Sequence, residues 1–136
     1  ESAHAHILTL SPPLNLDPKW AGMHLGYTMA KYGMSLTTLG LAEELKDSGI
    51  AVNSLWPETL IDTAAIRNLP GGQQMIRGAR SADIVADAAV AILSSDPAGV
   101  SGNFFTDGQV LNLAGVGDLS GYALNPDVPL VEDIFL

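Results

Sequence analysis

Ile50-Ala51-Val52-Asn53-Ser54-Leu55-Trp56-Pro57 is the stretch on which the fold turns. A short apolar run that follows Gly49 and stops at a proline reads as a buried strand, because proline cannot donate to a sheet ladder. Upstream, from about His24 to Lys46, the residues Tyr27, Ala30, Met34, Thr38, Leu41 and Leu45 recur at three- and four-residue steps. That spacing predicts a helix with these side chains on one face, stopped at Asp47-Ser48-Gly49. Earlier still, His6 to Leu10 reads as a strand ended by Ser11-Pro12-Pro13, with a loop through Trp20 before the helix.

Downstream, a polar, glycine-bearing stretch from Glu58 to Arg80 carries short helical pieces around Thr63–Arg67 and Gln73–Arg77, broken by Pro70-Gly71-Gly72, and reads as mobile. Ser81 is a fitting N-cap for a helix whose apolar residues run from Ile84 to Leu93 before Ser94-Ser95-Asp96-Pro97. Asn103 to Thr106 reads as a third strand, closed by an Asp107-Gly108 turn. From Gln109 to Leu136 the chain reads as a turn-rich tail whose apolar end, Asp133-Ile134-Phe135-Leu136, should pack against the rest.

The order strand, helix, strand, helix, strand places the chain in the α/β class, with right-handed crossovers and a parallel sheet. Three strands are half of a doubly wound sheet, so residues 1–136 read as a single partial domain, with 109–136 as its tail. Such a half leaves a sheet edge and parts of two helix layers bare and calls for a partner segment. The chain opens on Glu1 rather than methionine and enters a strand almost at once, which reads as a fragment.

Composition narrows the function. With 47% hydrophobic residues in 136, the chain can bury a core. Fifteen acids against six bases give a net charge of −9, which repels phosphate backbones and anionic membranes and argues against either as a partner. The lack of cysteine removes thiolate chemistry and suits a reducing compartment, with the cytoplasm as the expected location. His4, His6 and His24 have no metal-binding spacing, so no metal site is expected. No apolar run approaches the roughly 20 residues of a membrane span, and Glu1-Ser2-Ala3-His4 lacks the plan of a signal peptide.

The sharpest chemical signal is on the first helix. Tyr27 and Lys31 stand four apart on one face, within reach of a common ligand. An ammonium beside a phenol favours the ionised form and draws its pKa down from about 10 toward use in proton transfer. Taken alone, the pair is more often a half-buried tyrosine with a surface lysine one turn on. A serine-hydrolase reading fails, since Gly33-Met34-Ser35 lies within a helix and no glycine stands two residues further on.

Three segments in series carry a resemblance. Tyr27-Thr28-Met29-Ala30-Lys31-Tyr32-Gly33-Met34 resembles the active-site helix of the short-chain dehydrogenase/reductase family. Asn53-Ser54-Leu55-Trp56-Pro57, with Ile61 and Thr63, resembles its loop at the nicotinamide carboxamide, and Ser101 to Gly108 resembles its last strand and following turn. Ser11 to Leu16, Ala30 to Ser35 and Leu55 to Pro57 are most similar to the family's hydroxysteroid dehydrogenase-like branch. The resemblance implies the carboxy-terminal half of a Rossmann-like domain. It implies NAD or NADP as cofactor, Tyr27 as proton donor, and Lys31 as the group that tunes the tyrosine and binds the nicotinamide ribose. It further implies Pro57, Ile61 and Thr63 as cofactor contacts, a small apolar carbonyl or alcohol as substrate, and a homo-oligomer built partly on the helix with Gly33 and Gly40.

The chain departs from the family pattern at three points. The position of the family's catalytic serine holds Pro12, with Ser11 one place early, so Ser11 is either catalytic or a strand-end cap. Glu58 stands where the family has glycine and reads as a solvated loop residue. A glycine-rich phosphate turn is absent, since Gly71-Gly72 has no strand before it. The enzymatic reading therefore has a rival, a catalytically inactive family member that serves as an oligomerising or binding module. Thr63 to Arg80 reads as a lid, with Ala64, Ala65, Ile66, Leu69 and Met75 facing substrate and Arg67 and Arg77 either near it or solvated.

Overall fold

The computed structural model describes residues 4–136, so the reading of Glu1-Ser2-Ala3 lies outside the described residues. Strand β1 (Ala5–Thr9) leads through helix α1 (Pro18–Glu44) to β2 (Ile50–Trp56). Two one-turn helices, α2 (Ala64–Arg67) and α3 (Gly72–Met75), precede α4 (Asp83–Leu93), β3 (Phe104–Thr106) and α5 (Asp107–Leu113). The sheet is parallel in the order β1-β2-β3, with Ala5 beside Ile50, Thr9 beside Ser54 and Trp56 beside Thr106. This is the α/β arrangement expected, half of a doubly wound sheet.

The central strand β2 explains the layering. Its side chains alternate between the two faces of the sheet. Leu55 packs into a core with Ile84, Ala88 and Ile92 of α4 and Val110 and Leu111 of α5. Ser54 points the other way, toward α1, where its hydroxyl donates to Thr38 Oγ1 at 2.8 Å. Asn53 is buried without loss, because its side-chain oxygen accepts from the backbone and side-chain amides of Asn103, at 3.0 and 3.1 Å. Its Nδ2 donates to the carbonyl of Val100.

Helix α1 differs from expectation in its start. It begins at Pro18, within the expected loop, because Asp17 caps the Lys19 amide and proline suits the first helical position. Non-helical dihedrals at His24 (φ −148°, ψ 58°) kink it, so the sequence periodicity registers only beyond the break. The buried residues are Thr28, Ser35 and Thr38, whereas Tyr27, Met29, Met34, Leu36 and Leu39 are exposed. Small hydroxylated side chains let the helix lie close to β2 and leave the larger apolar ones outside. Gly33 and Gly40 likewise face open space rather than a packed neighbour in this chain.

The Asp107-Gly108 pair also departs from expectation, opening α5 instead of closing a turn. Thr106 and Gln109 form a capping box, the Thr106 hydroxyl accepting from the Gln109 amide while the Gln109 side chain accepts from the Thr106 amide. The segment from 58 to 80, read as mobile, is pinned in the structure by backbone bonds. Leu60 N–H donates to Val131, Val131 N–H to Gly78, and Arg80 N–H to Leu60, each at 2.9 Å. The tail thus forms a seam along this segment.

Candidate active site

Four of the sequence-predicted residues meet around one cavity. Tyr27, Pro57, Ile61 and Thr63 line a space of about 560 Å³, closed further by Trp56, Leu60, Ala65, Ile66, Leu69 and Met75. The apolar lid residues thus face the cavity, apart from Ala64. Arg67 does not, because it is held by the carboxylate of Asp62, whose pKa it lowers by hydrogen bonding and charge. The remaining wall comes from residues the sequence reading did not single out: His24 at the helix kink, and Asp133 and Ile134 of the tail.

Tyr27 sits one turn beyond that kink and lays its ring against Phe135, centroids 6.1 Å apart and planes within 9°. Phe135 is fully buried and also meets Trp20, Tyr32 and Trp56. Burial, and then the charge of Asp133, push the Tyr27 phenol above its usual value. That direction is opposite to the one expected from a lysine beside it. Lys31 instead donates to the carbonyl of Leu10 at 3.3 Å and lies 5.3 Å from the Trp56 ring centroid.

Ser11 is wholly buried, and its hydroxyl is 2.8 Å from that of Ser54, which continues to Thr38. The structure therefore places it in a hydroxyl chain between the sheet and α1, and it is not among the residues that line the cavity. Glu58 is not a solvated loop residue. Its carboxylate accepts from Thr106 Oγ1 at 2.6 Å and its amide donates to Asp107 Oδ1 at 3.0 Å, which locks the end of β2 to the start of α5.

The donor set suits one end of a dinucleotide. Pro57 and Ile61 offer an apolar shelf, and Thr63, whose hydroxyl accepts from the Ile66 amide, lies on the same cavity wall, a set that suits a nicotinamide ring and its carboxamide. A phosphate cradle is not formed by Gly71-Gly72, because a Cβ on Gly72 would meet the carbonyl oxygen of Ile66 at 2.0 Å. That glycine serves a close approach within the chain itself. Among the described residues, no helix is long and apolar enough to cross a membrane.

Known proteins resemble the chain along its whole length. Hydroxysteroid dehydrogenase-like protein 2 of Xenopus tropicalis is 52% identical over 136 residues, which are all of this chain and 32% of that protein. The human protein of the same name is 48% identical over the same span, again 32% of its length. In structure, a candidate dehydrogenase from Xanthomonas campestris superposes with a TM-score of 0.92 at 50% identity, covering 100% of this chain and 49% of that one. A short-chain dehydrogenase from Mycobacterium thermoresistibile gives 0.85 at 46% identity, covering 96% and 46%. The chain spans about a third of the length of the curated relatives it matches and about half of these solved chains. No family model matches it.

Proposed function

Given that the chain is similar in sequence and fold to about half of a short-chain dehydrogenase, we propose that it is the carboxy-terminal half of such a domain and that the protein containing it is an NAD(P)-dependent oxidoreductase that interconverts a carbonyl and an alcohol. The observation that carries this reading is the convergence of Tyr27 with Pro57, Ile61 and Thr63 on one apolar cavity. A related candidate 2-deoxy-D-gluconate 3-dehydrogenase from Agrobacterium tumefaciens, 27% identical with a TM-score of 0.52, carries bound NADP, which supports the cofactor class.

In this reading the nicotinamide, when bound, supplies or takes the hydride. Tyr27 gives its hydroxyl proton to the carbonyl oxygen in reduction and takes it back in oxidation, as general acid and base. Pro57, Ile61 and Thr63 hold the nicotinamide end, and the apolar lid excludes water from the reacting carbon. Lys31 contacts the ribose once its side chain leaves the Leu10 carbonyl. Lysine and arginine are absent from the cavity wall while Asp133 is present, so the substrate class is an uncharged apolar carbonyl or alcohol. A homo-oligomer fits the exposed apolar face of α1.

A second reading, a catalytically inactive member acting as an oligomerising or binding module, draws on the burial of Ser11 and the direction of Lys31. One substitution separates the two. In the full-length protein, Tyr27→Phe is expected to lower kcat with NADH or NADPH by roughly 10²–10⁴-fold while leaving circular dichroism unchanged. Turnover that persists at the wild-type rate would sink the enzymatic role of Tyr27.

A further inference from the structure

Phe135 combines two properties that rarely meet in one residue. It is the largest fully buried side chain among the described residues. It is also the only non-glycine among them with a left-handed backbone, at φ 75°. A bulky residue is strained there and keeps that conformation only where its surroundings demand the side chain in that place. Here the demand comes from four rings. Trp20 meets Phe135 edge-on at 5.6 Å, Tyr32 and Trp56 are tilted against it at 5.1 and 6.0 Å, and Tyr27 lies nearly parallel to it at 6.1 Å.

The origins of these rings matter. Helix α1 is broken at His24, so Trp20 belongs to the limb before the kink, and Tyr27 and Tyr32 belong to the limb after it. Trp56 ends β2. One ring from the tail therefore touches both limbs and the central strand, and the Thr28 hydroxyl, donating to the Trp20 carbonyl at 3.0 Å, adds a second tie across the break. The tail is itself fastened at this point. The Asp133 N–H donates to the Glu58 carbonyl and the Trp56 indole to the Ile134 carbonyl, both at 3.0 Å, while Asp133 Oδ1 accepts from the Ile134 amide at 2.8 Å. Tyr27 is 47% exposed, so little else packs on its ring to fix the plane.

We propose that Phe135 is a positioning residue for Tyr27: its ring, set between the two limbs of the kinked helix and the end of β2, fixes the plane of the phenol and makes the site competent only with the tail docked. The proposal rests on the reading of Tyr27 as the proton-transfer group. A displacement of about 1 Å in such a group can cost roughly 10²-fold in rate. The residues after β2 that would hold the nicotinamide end have their own backbone anchors, Leu60 N–H to Val131 and Asp62 N–H to Arg80. Loss of the Phe135 ring should therefore act on kcat more than on cofactor binding.

The test uses the full-length protein. Phe135→Leu keeps an apolar side chain but has no ring, and is expected to lower kcat by roughly 10- to 100-fold while the KM for NADH or NADPH stays within about threefold. Val131→Ala loosens the same tail without touching a ring and is expected to leave kcat within about threefold. The proposal is overturned if Phe135→Leu keeps its kcat, or if Val131→Ala loses as much. A second readout needs no turnover. With tyrosine rings labelled with carbon-13, the nuclear magnetic resonance signal that vanishes in Tyr27→Phe belongs to Tyr27. It is expected to move in Phe135→Leu and to stay in Val131→Ala, and an unmoved signal in Phe135→Leu counts against the contact. Should Phe135→Leu not fold, a nuclear Overhauser effect between the Tyr27 and Phe135 rings is expected in the unaltered protein, and its absence overturns the proposal. If the signal moves but Tyr27→Phe keeps full turnover, the proton-transfer reading fails and the ring contact stands.

Discussion

At the scale of single residues, a half-buried carboxyl and a buried hydroxyl have consequences that can be measured as stability. Asp133 has its pKa raised from 3.8 to about 6 in the folded chain, so its contribution to stability is present in full below about pH 4 and is lost as pH rises through 6. Asp133→Asn keeps an oxygen for the Ile134 amide and has no charge to bury. It is expected to exceed the wild type in unfolding free energy at pH 8 by roughly 1–2 kcal/mol, allowing for partial exposure, with the advantage vanishing near pH 4. Urea denaturation at the two pH values checks this, and a constant difference would contradict it. Ser54 lies between Ser11 and Thr38, so Ser54→Ala strands a buried hydroxyl on each side and is expected to cost about 1–3 kcal/mol. Ser11→Ala removes one end of the chain only, and is expected to cost stability while leaving kcat within about threefold, the reverse of what a catalytic serine would give. That Tyr27, Pro57, Ile61 and Thr63 share one cavity was approachable from the sequence because each sits in a segment that resembles a family motif. Asp133 was not, since 106 residues separate it from Tyr27 (133 − 27) and only the docking of the tail brings the two to one wall.

At the scale of elements, the strand β2 was read to the residue because an apolar run between glycine and proline has few other meanings. Helix α1 was read from His24 onward, its start at Pro18 lying hidden behind the kink, and its periodicity does not by itself say which face is buried. Periodicity identifies the apolar face, and burial of that face is an inference that holds only where something covers it. Here the hydroxyl-bearing face meets the sheet and the apolar one is bare. For α5 the signal was present in Thr106 and Gln109, a capping pair hidden by the stronger turn reading of Asp-Gly. The seam between the tail and the segment from 58 to 80 has a specific weak point at Gly78. A Cβ there would lie 2.7 Å from the Pro129 carbonyl oxygen and 2.9 Å from Val131. Because a backbone atom cannot move aside as a side chain end can, Gly78→Ala is expected to destabilise the chain by about 1–3 kcal/mol. It should also change tryptophan emission, since Trp20 and Trp56 both contact Phe135. An unchanged emission spectrum would show that the tail stays docked.

At the scale of the whole molecule, the half-sheet character was legible from element order alone, and so was its consequence. The described strands leave β1 and β3 each with one unpaired side, and α1 presents Leu25, Met29, Leu36 and Leu39 outward. Exposed apolar area of this kind marks a contact surface. The chain is expected to associate in a concentration-dependent way in sedimentation velocity, and Met29→Lys with Leu36→Lys is expected to weaken that association at least about tenfold, near 1.4 kcal/mol. A monomer at all concentrations would show that the exposed face is tolerated without a partner. The cavity has a different whole-chain property, one of timing. Its walls from α1 through α3 are complete once Met75 has been made, and the sheet once Thr106 has, but the last wall waits for Asp133, a further 58 residues after Met75 (133 − 75). During synthesis from the amino end, the three strands can pair and the core can close before the ribosome has released the tail. The nascent chain therefore passes through a stage with its sheet built and its cavity open, in which the ring of Tyr27 still lacks the cover of Phe135.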